Sequence, residues 1–373
     1  PDKYWELIET LFGGENAVMN QVKIEMGNDR NTSTGPNVAT MRTEDEYPNV
    51  KREPGFQLAA DAKKVNPDLK VSILRWCSPT WVKDNDDVYK WYKNTILAAY
   101  REYGYMVNTV NPGVNEKSAD LNWTKTFSER VENDEEGFIS DDENRGFQSE
   151  EEKELFHQIQ TIISDEVGIG SFGNSMTSDE ELRDAVDIAA YHYNTDDDKN
   201  GNFKKLAENY DKEIWNSEAQ ATFSNSADRP NNNIEGSDRP SGVGGNGSAL
   251  EMGNTIIKGF VNSRRTHFIY QPGIASFYEG YQYSHKELVS ARDPWSGWVY
   301  YDAAVSILEH FSQFANTGWS EDDADVWRAI PEASDCTVTG TNPVRGARDG
   351  QRSYMTMAAP DKSDFSTVII NDS

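Results

Sequence analysis

The feature that most constrains this chain is a repeated alternation of short apolar runs with amphipathic stretches of helical period. The clearest unit begins at 69–74, a strand-like run, and continues at 87–103, where Tyr89, Trp91, Tyr92, Ile96, Leu97 and Tyr100 fall on one helical face. Gly104 follows where a left-handed C-cap belongs, and a strand over 106–110 comes next. Comparable units recur: helix 2–11, strand 19–26, helix 55–66 ended by Pro67, helix 151–160, strand 161–163 ending at Ser164 and Asp165, strand 186–193, a strand end at 214–218, helix 253–265, strand 266–270 and helix 303–314. Strands that alternate with helices in this way run parallel, each crossover covering a sheet face. The predicted fold is α/β, a (β/α)8 TIM barrel. After Arg352 two alternating strands follow with no helix between them. The reading is therefore a barrel over 1–325 and a C-terminal β-rich segment, the start of a β-sandwich, over 326–373.

The 373 residues exceed the ~250 of a bare barrel, and the surplus has three addresses: 128–153, 225–248 and the terminal strands. The first carries eleven acids against three bases (Arg130, Arg145, Lys153) and reads as a solvated acidic loop. The second, rich in Asn, Gly, Ser and Pro, reads as a long loop. With 36 Lys plus Arg against 63 Asp plus Glu, the formal charge is −27, which repels phosphate backbones and anionic lipid. Nucleic acid and membrane are therefore not expected as partners, and no apolar run approaches the ~20 residues of a membrane span. Cys77 and Cys336 are too few for a disulfide framework and read as two buried free thiols. Ten Trp, 17 Tyr and 15 Phe in a chain only 36% hydrophobic would suit a cleft for sugar rings, whose C–H faces stack on indole and phenol.

Two carboxylates stand at strand ends: Glu116, after Asn115, and Glu218, after Asn216 and Ser217. The carboxyl ends of barrel strands build the open face, and glycosidic cleavage needs two carboxyl groups there, one to protonate the leaving oxygen and one to attack. Among 63 acids such pairs also arise by chance, so spacing alone leaves other roles open. Six runs, in order, add context: 70–81 (KVSILRWCSPTW), 107–117 (VNTVNPGVNEK), 186–193 (VDIAAYHY), 212–218 (KEIWNSE), 275–297 (ASFYEGYQYSHKELVSARDPWSG) and 313–319 (QFANTGW). Together they resemble the catalytic domain of the galactocerebrosidase-like glycoside hydrolases, family 59. The resemblance implies a retaining, exo-acting enzyme on terminal β-D-galactosides, with Glu116 as acid/base, Glu218 as nucleophile and no cofactor.

The same resemblance implies sugar contacts from Asn115, Thr32 or Ser33, Trp76 and Tyr283. His192 and Tyr193 end the strand beside the nucleophile's, and Trp295 is a candidate floor for the sugar, although a hydrogen-bonded core His and packed aromatics are equally good readings. An acid that must hold its proton calls for partial burial of Glu116. The family's first barrel strand would lie ahead of Pro1 and the rest of its sandwich beyond Ser373. Tyr270 or Gln271 stands where the family has Trp, a departure that bears on the sugar and on a ceramide-like aglycone, while the acidic surface favours soluble or polymeric β-galactosides. With the acidic surface, this points to an extracellular or cell-surface microbial enzyme. The alternatives are a sister-clan β-glycosidase of xylan or glucan type and a non-catalytic carbohydrate-binding barrel.

Other motifs are weaker. Asp196, Asp198 and Asn200 open like a calcium loop, but the twelfth position is Ala207 where a bidentate Glu is needed, and an Asp/Asn/Gly turn is the reading taken. No His/Cys cluster has zinc spacing. The run from Gly168 to Gly173 has the bare shape of a dinucleotide fingerprint without the helical pattern expected to follow. Asn-x-Ser/Thr sequons begin at Asn31, Asn122 and Asn246, among others, and chance gives as many in so Asn-rich a chain.

Overall fold

The structure, a computed structural model, describes residues 2–14, 17–32, 35–193, 198, 200–219, 249–275, 287–291, 297–313, 327–340 and 344–373. In chain order the strands are β1 (Gln21–Met26), β2 (Arg30–Thr32), β3 (Gly35–Asn37), β4 (Lys70–Arg75), β5 (Thr109–Val114), β6 (Gln160–Val167), β7 (Ile188–His192), β8 (Glu213–Ala219), β9 (Arg265–Tyr270), β10 (Ile274–Ala275), β11 (Val289–Ser290), β12 (Tyr300–Tyr301), β13 (Arg328–Cys336), β14 (Ser353–Ala358) and β15 (Phe365–Ile369). The α-helices are α1 (Asp2–Phe12), α2 (Pro54–Val65), α3 (Asn85–Tyr103), α4 (Leu121–Glu132), α5 (Glu150–His157), α6 (Phe172–Ser178), α7 (Glu180–Ala185), α8 (Asn202–Tyr210), α9 (Ala249–Ser263) and α10 (Ala303–Ser312). Seven strands follow as neighbours in the order β1-β4-β5-β6-β7-β8-β9, with helices in every connection, the succession of a TIM-barrel wall. The predicted fold class holds. The chain divides into two compact units, one of Asn20–Glu166 with Asn174–Ala189, the other of Pro1–Met19, Val167–Gly173 and Ala190–Ser373.

In the first of these units Gly104 acts as expected, and α3 gains a cap at its other end. The Asp84 carboxylate caps α3 by accepting from Asp87 N at 3.0 Å, and Gly104 ends the helix at φ 78°, its N–H donating to Tyr100 O at 2.8 Å. β1 pairs parallel with β4, and β4 with β5. β5 lies at Thr109–Val114, later than the expected 106–110. Its pairing passes from Leu74↔Asn111 to Arg75↔Val114, and this bulge takes up Pro112, which has no N–H for a ladder. β6 likewise runs to Val167 and carries Ser164 and Asp165 with it.

The acidic segment 128–153 corrects the expectation of a solvated loop. Residues 128–132 finish α4 and 150–153 begin α5. Asp134 is buried and accepts from Tyr89 Oη at 2.6 Å, Lys93 Nζ at 2.8 Å, Glu136 N at 2.9 Å and Gly137 N at 2.7 Å. Glu152, 1% exposed, takes Arg101 in a fork, Nε at 3.1 Å and Nη2 at 2.8 Å. Both cations come from α3, so a face that looks apolar in pattern also carries charge inward. The sequon at Asn122 sits in α4 with Thr124 buried, its hydroxyl donating to Asp120 O at 2.8 Å.

In the second unit β13, β14 and β15 form an antiparallel sheet. Met355, Met357, Val368 and Ile370 pack with Ile257 and Phe260 of α9 and Phe311 of α10. β13 escaped the sequence pattern because Arg328, Glu332 and Asp335 break its apolar alternation. A polar network ties the same sheet region to α9: Arg348 Nη2 donates to buried Glu251, Val344 N to Glu251 Oε2 at 3.3 Å, and Asp372 accepts from Gly346 N at 2.9 Å and Asn254 Nδ2 at 3.2 Å. The run after Gly168 does open a helix, α6, contrary to expectation. Its Gly173 has a packing reason, since a Cβ there would sit 2.9 Å from the Phe203 ring. Both cysteines are free and half-buried rather than buried. No helix among the described residues is long and apolar enough to cross a membrane.

Candidate active site

Glu116 follows β5 directly, with a left-handed backbone, φ 56°. Three backbone bonds shape its loop: Asn115 N donates to Arg75 O at 3.0 Å, Glu116 N to Asp165 O at 2.9 Å, and Lys117 N to Val114 O at 3.2 Å. Arg75 Nε adds a bond to Gly113 O at 3.0 Å. The carboxylate is exposed, not partly buried as expected of an acid. Beside it, Asn115 Oδ1 is buried without a hydrogen-bond partner, and so is Trp76 Nε1 at the end of β4. Neither atom has a partner among the described residues, and leaving such a group unpaired costs about 1–3 kcal/mol. Thr32 instead spends its hydroxyl within the β2-β3 hairpin, donating to Gly35 O at 2.8 Å.

Three residues that the sequence did not mark as functional sit under this loop. Lys23 Nζ lies 2.6 Å from Asp165 Oδ1, and Asn111 Nδ2 lies 2.7 Å from Asp165 Oδ2. Their signal was weak but present: Lys23 and Glu25 are polar on the strand face opposite Val22, Ile24 and Met26.

Glu218 has a different setting, in the other unit. β8 is buried from Ile214 to Ala219, and its pairing with β9 passes from Asn216↔Phe268 to Ala219↔Tyr270, a bulge that contains Ser217 and Glu218. Bulges of this kind re-aim side chains next to active sites. Glu218 is 3% exposed. Its Oε1 accepts from the Tyr193 hydroxyl, and its Oε2 lies 3.4 Å from Nδ1 of fully buried His192. Tyr193 N also donates to Glu218 O at 2.9 Å, with Tyr193 left-handed at φ 54°. The structure thus brings together three predicted residues, Glu218, His192 and Tyr193. Behind them Arg265 lies 3.7 Å over the Tyr191 ring, and burial pulls its guanidinium down to about 10.

Ser33, Tyr283, Trp295 and Asp196 fall outside the described residues, as does the loop 225–248. Of the calcium-like run, Asp198 accepts from Phe203 N at 2.6 Å and Gly201 N donates to its carbonyl at 2.9 Å, while Asn200 is exposed in the turn. Asp198 therefore caps the start of α8.

The model of glycosyl hydrolase family 59 matches residues 1–313. The chain belongs to that family. It is 25% identical over 324 residues to a galactocerebrosidase of Danio rerio and 26% identical over 317 residues to one of Homo sapiens, with 84% of this chain covered in each case. It spans 42% and 40% of their lengths. Among solved structures, SrfJ from Salmonella typhimurium superposes with a TM-score of 0.65 at 14% identity, covering 99% of this chain and 77% of that one. The endo-beta1,6-glucanase BT3312 gives 0.65 at 13% identity, covering 100% and 79%. At that identity the structural likeness speaks for the fold.

Proposed function

We propose that this family 59 chain is a retaining, exo-acting glycoside hydrolase that cleaves terminal β-D-galactosides, with Glu218 as nucleophile and Glu116 as acid/base. The observation that carries the reading is Glu218: a buried carboxylate at a strand bulge whose partners are a phenol and an imidazole rather than a Lys or Arg. A carboxylate held this way, with no Lys or Arg against it among the described residues, keeps electron density for attack on the anomeric carbon. Attack gives a glycosyl-enzyme ester while Glu116 passes its proton to the leaving oxygen. Glu116 then takes a proton from water, which displaces Glu218 and restores the configuration. Exposure of Glu116 is compatible with this second step, in which it must meet water.

The unpaired Trp76 Nε1 and Asn115 Oδ1 supply one donor and one acceptor for sugar hydroxyls, and Asn115 is suited to the 2-hydroxyl, whose hydrogen bond strengthens in the transition state. Galactose is preferred as the sugar because the relatives are galactocerebrosidases, and a soluble or polymeric aglycone because of the −27 charge. The same charge fits an extracellular or cell-surface microbial setting. Turnover needs no cofactor in this scheme. Hydrolysis of aryl β-galactosides, compared with aryl glucosides and xylosides, tests it. Activity lost in Glu218→Gln and recovered with azide in Glu218→Gly supports the assignment, whereas undiminished activity in Glu218→Gln overturns it. Sugar binding without turnover of any glycoside would leave a carbohydrate-binding barrel.

A further inference from the structure

We infer that Asp165 is the positioning residue for Glu116, acting through the backbone bond between them. The inference rests on the proposed role of Glu116 as acid/base. Glu116 has a left-handed backbone, φ 56°, a region that residues other than Gly, Asn and Asp seldom hold. Its N–H has one backbone acceptor, the Asp165 carbonyl at 2.9 Å. Asp165 is itself left-handed, at φ 58°, so the direction of that carbonyl depends on a second unusual residue.

The side chain of Asp165 explains why that conformation persists. It is fully buried, and its two oxygens are shared between two strands: Oδ1 meets Lys23 Nζ of β1 at 2.6 Å and Oδ2 meets Asn111 Nδ2 of β5 at 2.7 Å. Asn111 Nδ2 also donates to Ser164 O at 3.0 Å, and its Oδ1 accepts from Gly113 N at 2.7 Å. One carboxylate therefore clamps β1, the end of β5 and the end of β6, and its own carbonyl holds the residue that follows β5. Charge-assisted bonds in a buried place are strong and directional, which suits a clamp. A displacement of about 1 Å at a proton donor costs on the order of 10²-fold in rate, so loosening the clamp reads out as chemistry.

The experiment compares kcat/KM for phenyl β-galactoside, whose leaving group needs a proton, with 2,4-dinitrophenyl β-galactoside, whose leaving group does not. Glu116→Gln is measured in parallel. Asp165→Asn is expected to lose at least about tenfold more on the phenyl substrate than on the dinitrophenyl one, with KM little changed. It is also expected to cause no further loss on the phenyl substrate when combined with Glu116→Gln, because both changes disable one function. Equal losses on the two substrates, or additive losses in the double variant, would show a structural ion pair only and overturn the assignment. Should Asp165→Asn fail to fold, Lys23→Arg, which keeps the charge and moves the donor, is judged by the same two criteria. If Glu116→Gln is itself indifferent to the leaving group, the acid/base reading falls and this one with it. If Glu116→Gln discriminates and the Asp165 variant does not, only the Asp165 assignment falls.

Discussion

Asp134 and Glu218 are both buried carboxylates in barrel segments, yet their partners differ in kind. Asp134 has four donors on two oxygens, one of them the Lys93 ammonium and two of them backbone N–H groups. Glu218 has the Tyr193 phenol on one oxygen and His192 at 3.4 Å from the other. A saturated, cation-paired carboxylate is inert and holds structure together; one left under-satisfied retains the capacity to bond something else. Burial alone, then, does not mark a reactive acid. Among the described residues Glu218 differs in having no Lys or Arg beside it, and its proposed role as nucleophile rests on that difference.

That contrast can be broken in either direction. The largest effect expected is in Glu218→Gln, where kcat for an aryl galactoside should fall by about 10⁴-fold while the urea midpoint hardly moves. The complementary change, Asp134→Ala, leaves the buried Lys93 ammonium with the Glu136 carboxylate at 3.6 Å as its remaining ion-pair partner among the described residues, and should lower unfolding free energy by about 3 kcal/mol in a urea titration, with kcat per folded molecule unchanged. If Asp134→Ala instead abolished turnover in a folded protein, the division between the two acids would be wrong. Tyr193→Phe sharpens the comparison: removing one donor from Glu218 should cost about tenfold to a hundredfold in kcat/KM, with thermal stability close to wild type.

The smallest effect is a pH slope. Burial alone would raise the Asp134 carboxyl, but the Lys93 ammonium and the Tyr89 hydroxyl more than offset it and hold the group below its ordinary 3.8. A lowered folded-state value means that the unfolded chain binds the proton more readily, so this contribution is fully present above pH 3.8 and is lost as pH falls through the folded-state value. Urea midpoints measured downward from pH 5 should decline less steeply in Asp134→Asn than in wild type, and an unchanged slope would mean that the Lys93 pairing adds nothing to acid stability.

The readable parts of this molecule were local. The β4-α3 unit could be predicted because strand period, the apolar helical face and the C-cap lie within one stretch of 70–104, and the largely apolar run that leads to His192 and Tyr193 stood out as a strand. The hidden parts depend on partners distant in sequence. Asp134 could not be told from its acidic neighbours, since the lysine that buries it lies 41 positions away on a helix. Lys23 and Asp165 are 142 positions apart, and nothing in either stretch points to the other. The left-handed turn at Glu116 is likewise not announced by its residue type.

The tie between α9 and the terminal sheet has a bearing on how the chain is made. Glu251 is buried on α9, and its guanidinium partner, Arg348, is encoded 97 positions later, while Asn254 on the next turn reaches Asp372, 118 positions on. During synthesis α9 emerges long before either partner, and the face that will be buried must wait with its polar groups in water. Such long-range closure slows folding and extends the time in which a ribosome-bound intermediate needs protection. Vectorial folding from the first strand onward is thus expected to pause at α9, and to finish only after Asp372 has cleared the exit tunnel.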